Sequence, residues 1–373
     1  MKRANHSQVT PRQATAIIIN TIISGKLLIL PRVLTATTGT SSWIALIVSS
    51  LLALALVSIY TTLGRRFQNS SLPQYCVQTL GSFFGGALAL LLAAVWLVLA
   101  ALASRLFSTV IVTSALPRVP LESGILTMLL ISAHLATQDV KTVARVQELF
   151  LPFIIGTIFA VIIPSLVRIN IWRLLPIVQF DNIRMVGYSV LTALGSFWGF
   201  EIVSLFMPFY THLGKAGRSH NIGIIIVAGM YLLIVIASIG LFGIAELRRT
   251  QWPTLELVRV IGFRGLFERL EAPFLAIYVI VIFTTIGSLL FGVVSTLSDL
   301  FNIKSRLTWP YFLVIPAYYI AIRPQNVVEL ERIIHLILLI HQGIVLAVPL
   351  LVLPIAVIRG KEDKSNEGET AGS

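Results

Sequence analysis

Two ionisable residues lie inside long apolar runs, each next to small residues. Lys26 follows Ser24 and Gly25 in one run, and Glu201 follows Gly199 in another. A charge at the centre of a membrane costs about 2.5–3.5 kcal/mol on insertion scales, so such residues usually face a bundle interior or a wet cavity. Small neighbours let a helix open, and an open helix leaves N–H and C=O groups free to bind a carboxylate, an amine or an ion. The two stretches predict one site at the membrane midplane, where the two charges could neutralise each other.

The composition indicates a membrane protein that crosses the bilayer several times. Of 373 residues, 56% are hydrophobic and 12% are charged, whereas soluble domains carry about 25% charged residues. The apolar runs are continuous and of helix length, which favours α-helices over the alternating strands of a barrel. The net charge of +12 is spread over loops and termini, so it indicates contact with the lipid bilayer rather than nucleic acid.

Several functions are disfavoured by what the sequence lacks. The single cysteine, Cys76, excludes an intrachain disulfide and argues against a cysteine-based metal site. The six histidines show no ligand spacing, and there is no nucleotide-binding loop, dinucleotide fingerprint or nucleophile elbow. We therefore expect no cofactor, no metal and no enzymatic activity.

The apolar runs predict ten transmembrane helices. Their approximate limits are 12–35, 41–63, 83–115, 121–137, 143–166, 187–209, 217–245, 272–300, 307–322 and 329–357. This divides the chain into a cytoplasmic N-terminal segment (1–11), a transporter-like membrane domain (12–357) and a polar cytoplasmic tail (358–373). The short basic loops place both ends in the cytoplasm. The external segment 247–270 is long enough for a short helix that covers a pathway.

The two interrupted stretches occupy corresponding positions when the ten helices are divided into two groups of five. Glycine-interrupted segments at matching positions of two halves are the best sequence indicator of an inverted-repeat transporter site. The predicted fold is therefore an all-α polytopic membrane protein with a five-plus-five inverted repeat and broken first and sixth helices.

Short motifs in order along the chain carry a family resemblance. They are Asn20-Thr21, Leu30-Pro31-Arg32, Gly81, Ala103-Ser104-Arg105, Ala144-Arg145-Val146-Gln147-Glu148 with Pro152, Leu174-Leu175-Pro176, Gly199-Phe200-Glu201, Trp252-Pro253-Thr254 and Phe267-Glu268-Arg269-Leu270-Glu271. With them the chain resembles the B subunit of the bacterial spore nutrient germinant receptor, in the spore germination permease family. That family is similar to amino acid–polyamine–organocation transporters.

The resemblance implies a sensor of a small germinant, often an amino acid, in the spore inner membrane. It also implies two partners, an A-type receptor subunit with membrane spans and a lipoprotein C-type subunit. The family usually has a Gly-Ala-Gly-like pattern at the first break, where this chain has Ser24-Gly25-Lys26. Lys26 could meet an acidic group of the ligand or replace a bound cation, and the sequence leaves both open.

The resemblance also implies which residues bind the ligand. Carried onto matching positions, the pocket is lined by Ser24, Gly25, Lys26, Val95, Leu99, Trp198, Thr285 and Leu289. Glu201 joins them because it lies at the second break. For Val95, Leu99 and Leu289 plain helix packing is the competing interpretation, and Trp198 could gate the pocket or fill space.

The remaining deep charges are candidates for structure or gating. Arg105 and Glu148 could face the cavity or form buried ion pairs. Glu268, Arg269 and Glu271 are expected to form an ion-paired corner that sets an outer lid.

Three functions fit these features. The first is a germinant-sensing receptor subunit, and the second is an autonomous proton- or cation-coupled amino acid transporter. The third is a scaffold whose pocket no longer binds anything.

Overall fold

The computed structural model describes residues 9–176, 183–261, 271–303, 307–360 and 362. Within these ranges the chain is helical, and the only pairing of strand type is an isolated bridge. The α-helices in chain order are α1 (Pro11–Ile22), α2 (Lys26–Thr38), α3 (Ser42–Arg66), α4 (Leu72–Leu80), α5 (Ser82–Ser114), α6 (Leu121–Thr137), α7 (Val140–Val167), α8 (Ile183–Leu194), α9 (Val203–Phe206), α10 (Ala216–Phe242), α11 (Ile244–Leu247), α12 (Pro253–Ile261), α13 (Glu271–Phe301), α14 (Val314–Ile322) and α15 (Val327–Ile358).

Six stretches of the described chain are long and apolar enough to cross a membrane. They are Lys26–Arg66, Ser82–Ser114, Val140–Val167, Leu213–Phe242, Glu271–Phe301 and Val327–Ile358. A bent pair, Gly187–Phe197 and Phe200–Phe209, meets at 43° and would make a seventh. The apolar helices Leu121–Thr137 and Trp309–Ile322 are shorter. The membrane-spanning, all-helical prediction is confirmed for the described residues, and the count of ten remains a prediction.

The first predicted interruption is present between α1 and α2. Helix α1 begins with a capping box, in which Thr10 and Gln13 exchange side-chain hydrogen bonds with each other's backbone N–H. It ends at Ile22, because Ile23 has the extended backbone angles φ −71° and ψ 98°. Helix α2 starts again at Lys26, so residues 23–25 form the break.

The second predicted interruption separates α8 from α9. After a 3₁₀ turn at Gly195–Phe197 the backbone is extended at Trp198 and then passes through Gly199 with φ +123°, before the 3₁₀ turn Phe200–Ile202. Only glycine adopts such a φ without strain. A Cβ at Gly199 would also lie 3.1 Å from the carbonyl oxygen of Thr21, so the two broken segments pass each other closely here.

The rest of the bundle holds the two broken segments in place. Helix α13 packs against α5, α6, α7 and α1, and α10 packs against α3 and α1. The amide of Val9 donates to the Phe209 carbonyl at 3.0 Å, and the Thr211 amide donates to the Val9 carbonyl at 2.9 Å. These bonds join the start of α1 to the segment that follows α9. The expected short helix in the segment 247–270 is α12, which packs on α2 and α7.

Candidate functional site

The two breaks meet at a small space, which we call the inner cavity. Its volume is about 90 Å³. It lies between α1, α2, α5, α13, α15 and the turn that follows α8. The lining residues are Thr21, Ser24, Gly25, Lys26, Ile29, Leu99, Leu102, Ala103, Leu106, Trp198, Gly199, Thr285, Leu289, Ile334, Leu338 and His341.

The open backbone of the first break is satisfied by neutral hydroxyl groups. The Tyr231 hydroxyl on α10 donates to the Ile22 carbonyl at 2.9 Å. The Thr285 hydroxyl on α13 lies 3.3 Å from the Ile23 carbonyl and 3.0 Å from that of Asn20. An unpaired buried carbonyl costs free energy comparable to a lost hydrogen bond, so these hydroxyls stabilise the interruption.

The open backbone of the second break is satisfied by charged side chains. Lys26 Nζ lies 3.1 Å from the Gly195 carbonyl oxygen and 3.1 Å from that of Trp198. A side chain that starts at the first break thus binds the backbone of the second. This contact directly links the two interruptions.

Glu201 is fully buried and takes part in the same arrangement. Its Oε2 accepts from the Gly199 amide at 2.9 Å, and its Oε1 accepts from Trp96 Nε1 at 3.2 Å. His341 Nε2 on α15 lies 2.9 Å from Oε1. The peptide between Trp198 and Gly199 therefore offers its carbonyl to Lys26 and its N–H to Glu201. The two charges compensate each other through this one peptide unit.

Three residues that line the inner cavity carry a buried polar atom with no hydrogen-bond partner among the described residues. The atoms are Thr21 Oγ1, Trp198 Nε1 and His341 Nδ1. Buried polar atoms are nearly always paired, and each unpaired one costs about 1–3 kcal/mol. Such a set around a cavity is suited to a small polar molecule.

The structure brings together most of the residues predicted to bind ligand. Ser24, Gly25, Lys26, Leu99, Trp198, Thr285 and Leu289 all line the inner cavity. Val95 is buried in the core one turn before Leu99 and does not line it. Glu201 lies behind the lining, where it holds the Gly199 amide.

Of the predicted structural or gating charges, Arg105, Glu148 and Glu271 are not among the described residues that line the inner cavity. Arg105 donates to the Pro324 carbonyl at 2.9 Å. Glu148 accepts from Gln13 at 3.0 Å and lies 3.5 Å from Arg12. Glu148 is thus partly exposed and paired at the start of α1, and neither Arg105 nor Glu148 is among the described residues that line the inner cavity.

The outer corner is described only in part. Glu271 pairs with Arg259 of α12 at 2.6 Å, which ties the start of α13 to that helix. Glu268 and Arg269 lie outside the described residues, so the expected corner is described only at Glu271. Among the described residues no group of three His, Cys, Asp or Glu side chains is placed to hold a metal ion.

Sequence reasoning missed His341 and a second space, which we call the outer cavity. Its volume is about 420 Å³ and it separates α8 from α15, with α2 as its third wall. Lys26, Ile29, Leu106, Ile334 and Leu338 line both cavities and form the partition between them. An ion pair between Arg32 of α2 and Glu331 of α15 lies in the outer cavity's wall. The sequence signal for His341 was a histidine within the apolar helix α15. Which neighbouring helix that histidine faces depends on how α15 is rotated about its axis, and the sequence does not give this rotation.

Solved transporter structures share this fold. One is MhsT in complex with L-phenylalanine, with a TM-score of 0.71, 13% identity, and coverage of 94% of this chain and 89% of that one. Another is a Na⁺-coupled sialic acid symporter, with a TM-score of 0.65, 11% identity, and coverage of 93% and 80%. A nucleobase-cation-symport-1 family transporter with bromovinylhydantoin bound has a TM-score of 0.66, 12% identity, and coverage of 90% and 78%. At these identities the likeness shows the fold alone.

Curated relatives come from Bacillus subtilis (strain 168). Spore germination protein YndE is 27% identical over 364 residues, which is 96% of this chain and 99% of that protein. Spore germination protein KB is 25% identical over 373 residues, covering 98% and 99%. Spore germination protein A2 is 26% identical over 319 residues, covering 84% and 86%. Residues 8–330 match the spore permease family, described as spore germination protein. The chain belongs to the spore germination permease family.

Proposed function

We propose that this protein is the integral-membrane, germinant-sensing subunit of a spore germinant receptor and binds a small nutrient in the inner cavity. The observation that carries the proposal is the meeting of two interrupted helices at a cavity whose lining residues Thr21, Trp198 and His341 each carry a buried, unpartnered polar atom. In transporters of inverted-repeat architecture, substrate sites are formed by discontinuous helices near the midplane. Family membership supplies the germination context.

The size of the cavity limits the ligand. A cavity of about 150 Å³ holds benzene, and the inner cavity is about 90 Å³. The ligand is therefore a compact molecule of the size of a small amino acid or hydroxy acid. A larger nutrient requires movement of the partition to join the two cavities.

The architecture we propose has ten membrane helices in two inverted groups of five. In it α1 with α2 forms the broken first span and α8 with α9 the broken sixth, while α14 and the turn before it form the ninth. The transporter neighbours support this arrangement. We place the protein in the spore inner membrane with both ends in the cytoplasm, in complex with A-type and lipoprotein C-type subunits.

Ligand binding can change the receptor only through a difference in affinity between two conformations. The inner cavity touches both broken segments and the long helices α5, α13 and α15. A ligand that favours one arrangement of these elements shifts the bundle toward it. The shift then reaches the partner subunits and triggers germination.

Two neighbouring residues on α5 provide the test. Leu99 lines the inner cavity, and Val95, one turn away, is buried outside it. In spores carrying Leu99→Ala, the nutrient concentration that gives a half-maximal response is expected to change by about tenfold in either direction. The reason is that the substitution changes the shape of the cavity. Val95→Ala should alter only the amount of folded receptor, measured by immunoblot. Equal nutrient sensitivity of the two variants and the parent would contradict the site.

A cation- or proton-coupled amino acid transporter is the alternative. The outer cavity favours it, because it adjoins the inner cavity through a shared partition and provides an access route. The measurement is uptake of radiolabelled nutrient into proteoliposomes that contain the purified protein. Saturable uptake without partner subunits would support the transporter, and binding without uptake would support the sensor.

A further inference from the structure

Two carbonyl groups of the second break are bound by the ammonium group of Lys26. In transporters with broken helices, unwound carbonyls and half-helix C-terminal ends coordinate the coupling cation. Here the Gly195 and Trp198 carbonyls follow the C-terminal end of α8, and both accept from Lys26 Nζ at 3.1 Å. Lys26 carries a positive charge, and it is the residue that directly follows the first break.

The carbonyl groups of the first break are also occupied. Those of Ile22 and Ile23 accept from the hydroxyls of Tyr231 and Thr285. Those of Ser24 and Gly25 accept the backbone amides of Leu27 and Leu28, at 3.0 and 3.2 Å. The Ile22, Ser24 and Gly25 carbonyls are thus paired within the protein, and the Ile23 carbonyl shares the Thr285 hydroxyl with those of Asn20 and Val281.

The charged residues around the inner cavity also argue against an ammonium group on the ligand. No Asp or Glu is among the described residues that line the inner cavity, and Lys26 is the one lysine or arginine there. Glu201 lies behind the lining and is engaged by Gly199, Trp96 and His341. A second positive charge in this space would meet Lys26 without a carboxylate to pair with.

The unpartnered atoms favour groups that both donate and accept hydrogen bonds. An indole N–H only donates, whereas a hydroxyl and an imidazole nitrogen can donate or accept. Trp198, Thr21 and His341 supply one of each. A hydroxyl group can both donate and accept, so a hydroxylated ligand offers partners of both kinds without adding positive charge.

We propose that the Lys26 side chain is a built-in cation that fills the cation site of the second break, and that the ligand is a small hydroxylated molecule without an ammonium group. The statement about the ligand rests on the proposed function, and the statement about Lys26 does not. Removing the lysine should therefore reopen a site for a free ammonium ion.

The experiment is thermal unfolding of the purified full-length protein in detergent, with methylammonium chloride as the probe. Lys26→Ala frees both carbonyls, and methylammonium is expected to raise its Tm by about 2–4 °C at saturating concentration. Tetramethylammonium has no N–H donor and should not. Lys26→Met is the matched control, because its side chain fills the same space without charge and should block the probe.

Wild-type protein is expected to show the same Tm in sodium, potassium, choline and methylammonium chloride. A shift of wild type by sodium or methylammonium would overturn the built-in cation, as would a folded Lys26→Ala variant that ignores methylammonium. If Lys26→Ala yields no folded protein, it is expressed with each ammonium salt. Recovery with methylammonium alone supports the proposal, and no recovery contradicts it.

The ligand class is tested with pairs that differ at one group. L-lactate and glycolate should stabilise the wild-type protein more than L-alanine and glycine, and Lys26→Ala should reduce or reverse that preference. Stabilisation of wild type by the amino acids at equal or lower concentration would overturn the ligand class and leave the sensing function intact. No stabilisation by any member of either pair would count against both the ligand class and the sensing function. The methylammonium experiment would still test whether Lys26 fills the cation site.

Discussion

Both interruptions leave backbone groups without partners in a helix, and the two breaks pair these groups with different kinds of side chain. At the first break, neutral hydroxyls from neighbouring helices cap the carbonyls of Ile22 and Ile23. At the second, Lys26 binds two carbonyls and the carboxylate of Glu201 binds an amide. A hydrogen bond that involves an ionised group is roughly twice as strong as a neutral one. The first break is thus held by neutral hydrogen bonds, and the second by stronger bonds to charged groups.

The largest expected effect is at the second break. Glu201→Ala removes the partner of the Gly199 amide, the Trp96 indole and His341 in a fully buried place. Removing one member of a buried, hydrogen-bonded charge arrangement costs about 3–5 kcal/mol, so little folded protein should remain at 37 °C. Fluorescence-detected gel filtration measures this. Glu246→Ala, at an exposed position, should behave like the parent.

A smaller effect is expected from the backbone at the same break. Gly199→Ala forces a side chain into φ +123° and against the Thr21 carbonyl, at a cost of about 1–3 kcal/mol. Gly229→Ala in α10 is the control, because a Cβ there meets nothing within 4 Å. Its thermal unfolding should match the parent or improve slightly. Equal Tm values for the two variants would show that the second break is not held tightly.

The first break should be more tolerant. Tyr231→Phe removes the hydroxyl that caps Ile22, and a hydrogen bond inside a membrane protein is worth about 0.6 kcal/mol on average. The variant should fold, with a Tm a few degrees lower at most. Tyr319→Phe, at an exposed tyrosine, should leave the Tm unchanged. A loss as large as that of Glu201→Ala would reverse the comparison between the breaks.

The smallest effect is the coupling between the two charges. In a double-mutant cycle of Lys26→Met and Glu201→Gln we expect an interaction free energy of about 0.5 kcal/mol, carried by the peptide they share. Glu201→Gln combined with Tyr231→Phe should be additive. Additivity in the first cycle would show that the shared peptide does not connect them.

The interruptions themselves could be predicted from sequence, because a charge in an apolar run needs polar partners and the small residues beside it let the backbone open to supply them. The residues that line the cavity from α5 and α13 were also found, since the family motif fixes their helical positions. Val95 was assigned to the pocket by the family resemblance, and it is not among the described residues that line the inner cavity.

The partners of the charges could not be predicted. Lys26 binds carbonyls 169 and 172 residues away, and carbonyl groups leave no mark on a sequence. The contact of His341 with Glu201 depends on how α15 is rotated against the second break. Glu148 was a candidate for the cavity. It lies beside Arg12 because the N-terminal part of α7 packs near the start of α1.

The bridge at Val9 has a mechanical consequence. It fastens the beginning of α1 to the chain just beyond α9, while α2 packs on α8. The four half-helices are thereby grouped into two pairs, α1 with α9 and α2 with α8, with the two breaks between them. Spectroscopic labels on α1 and on the segment after α9 should keep a constant separation when a ligand binds, whereas labels placed across the breaks should report a tilt.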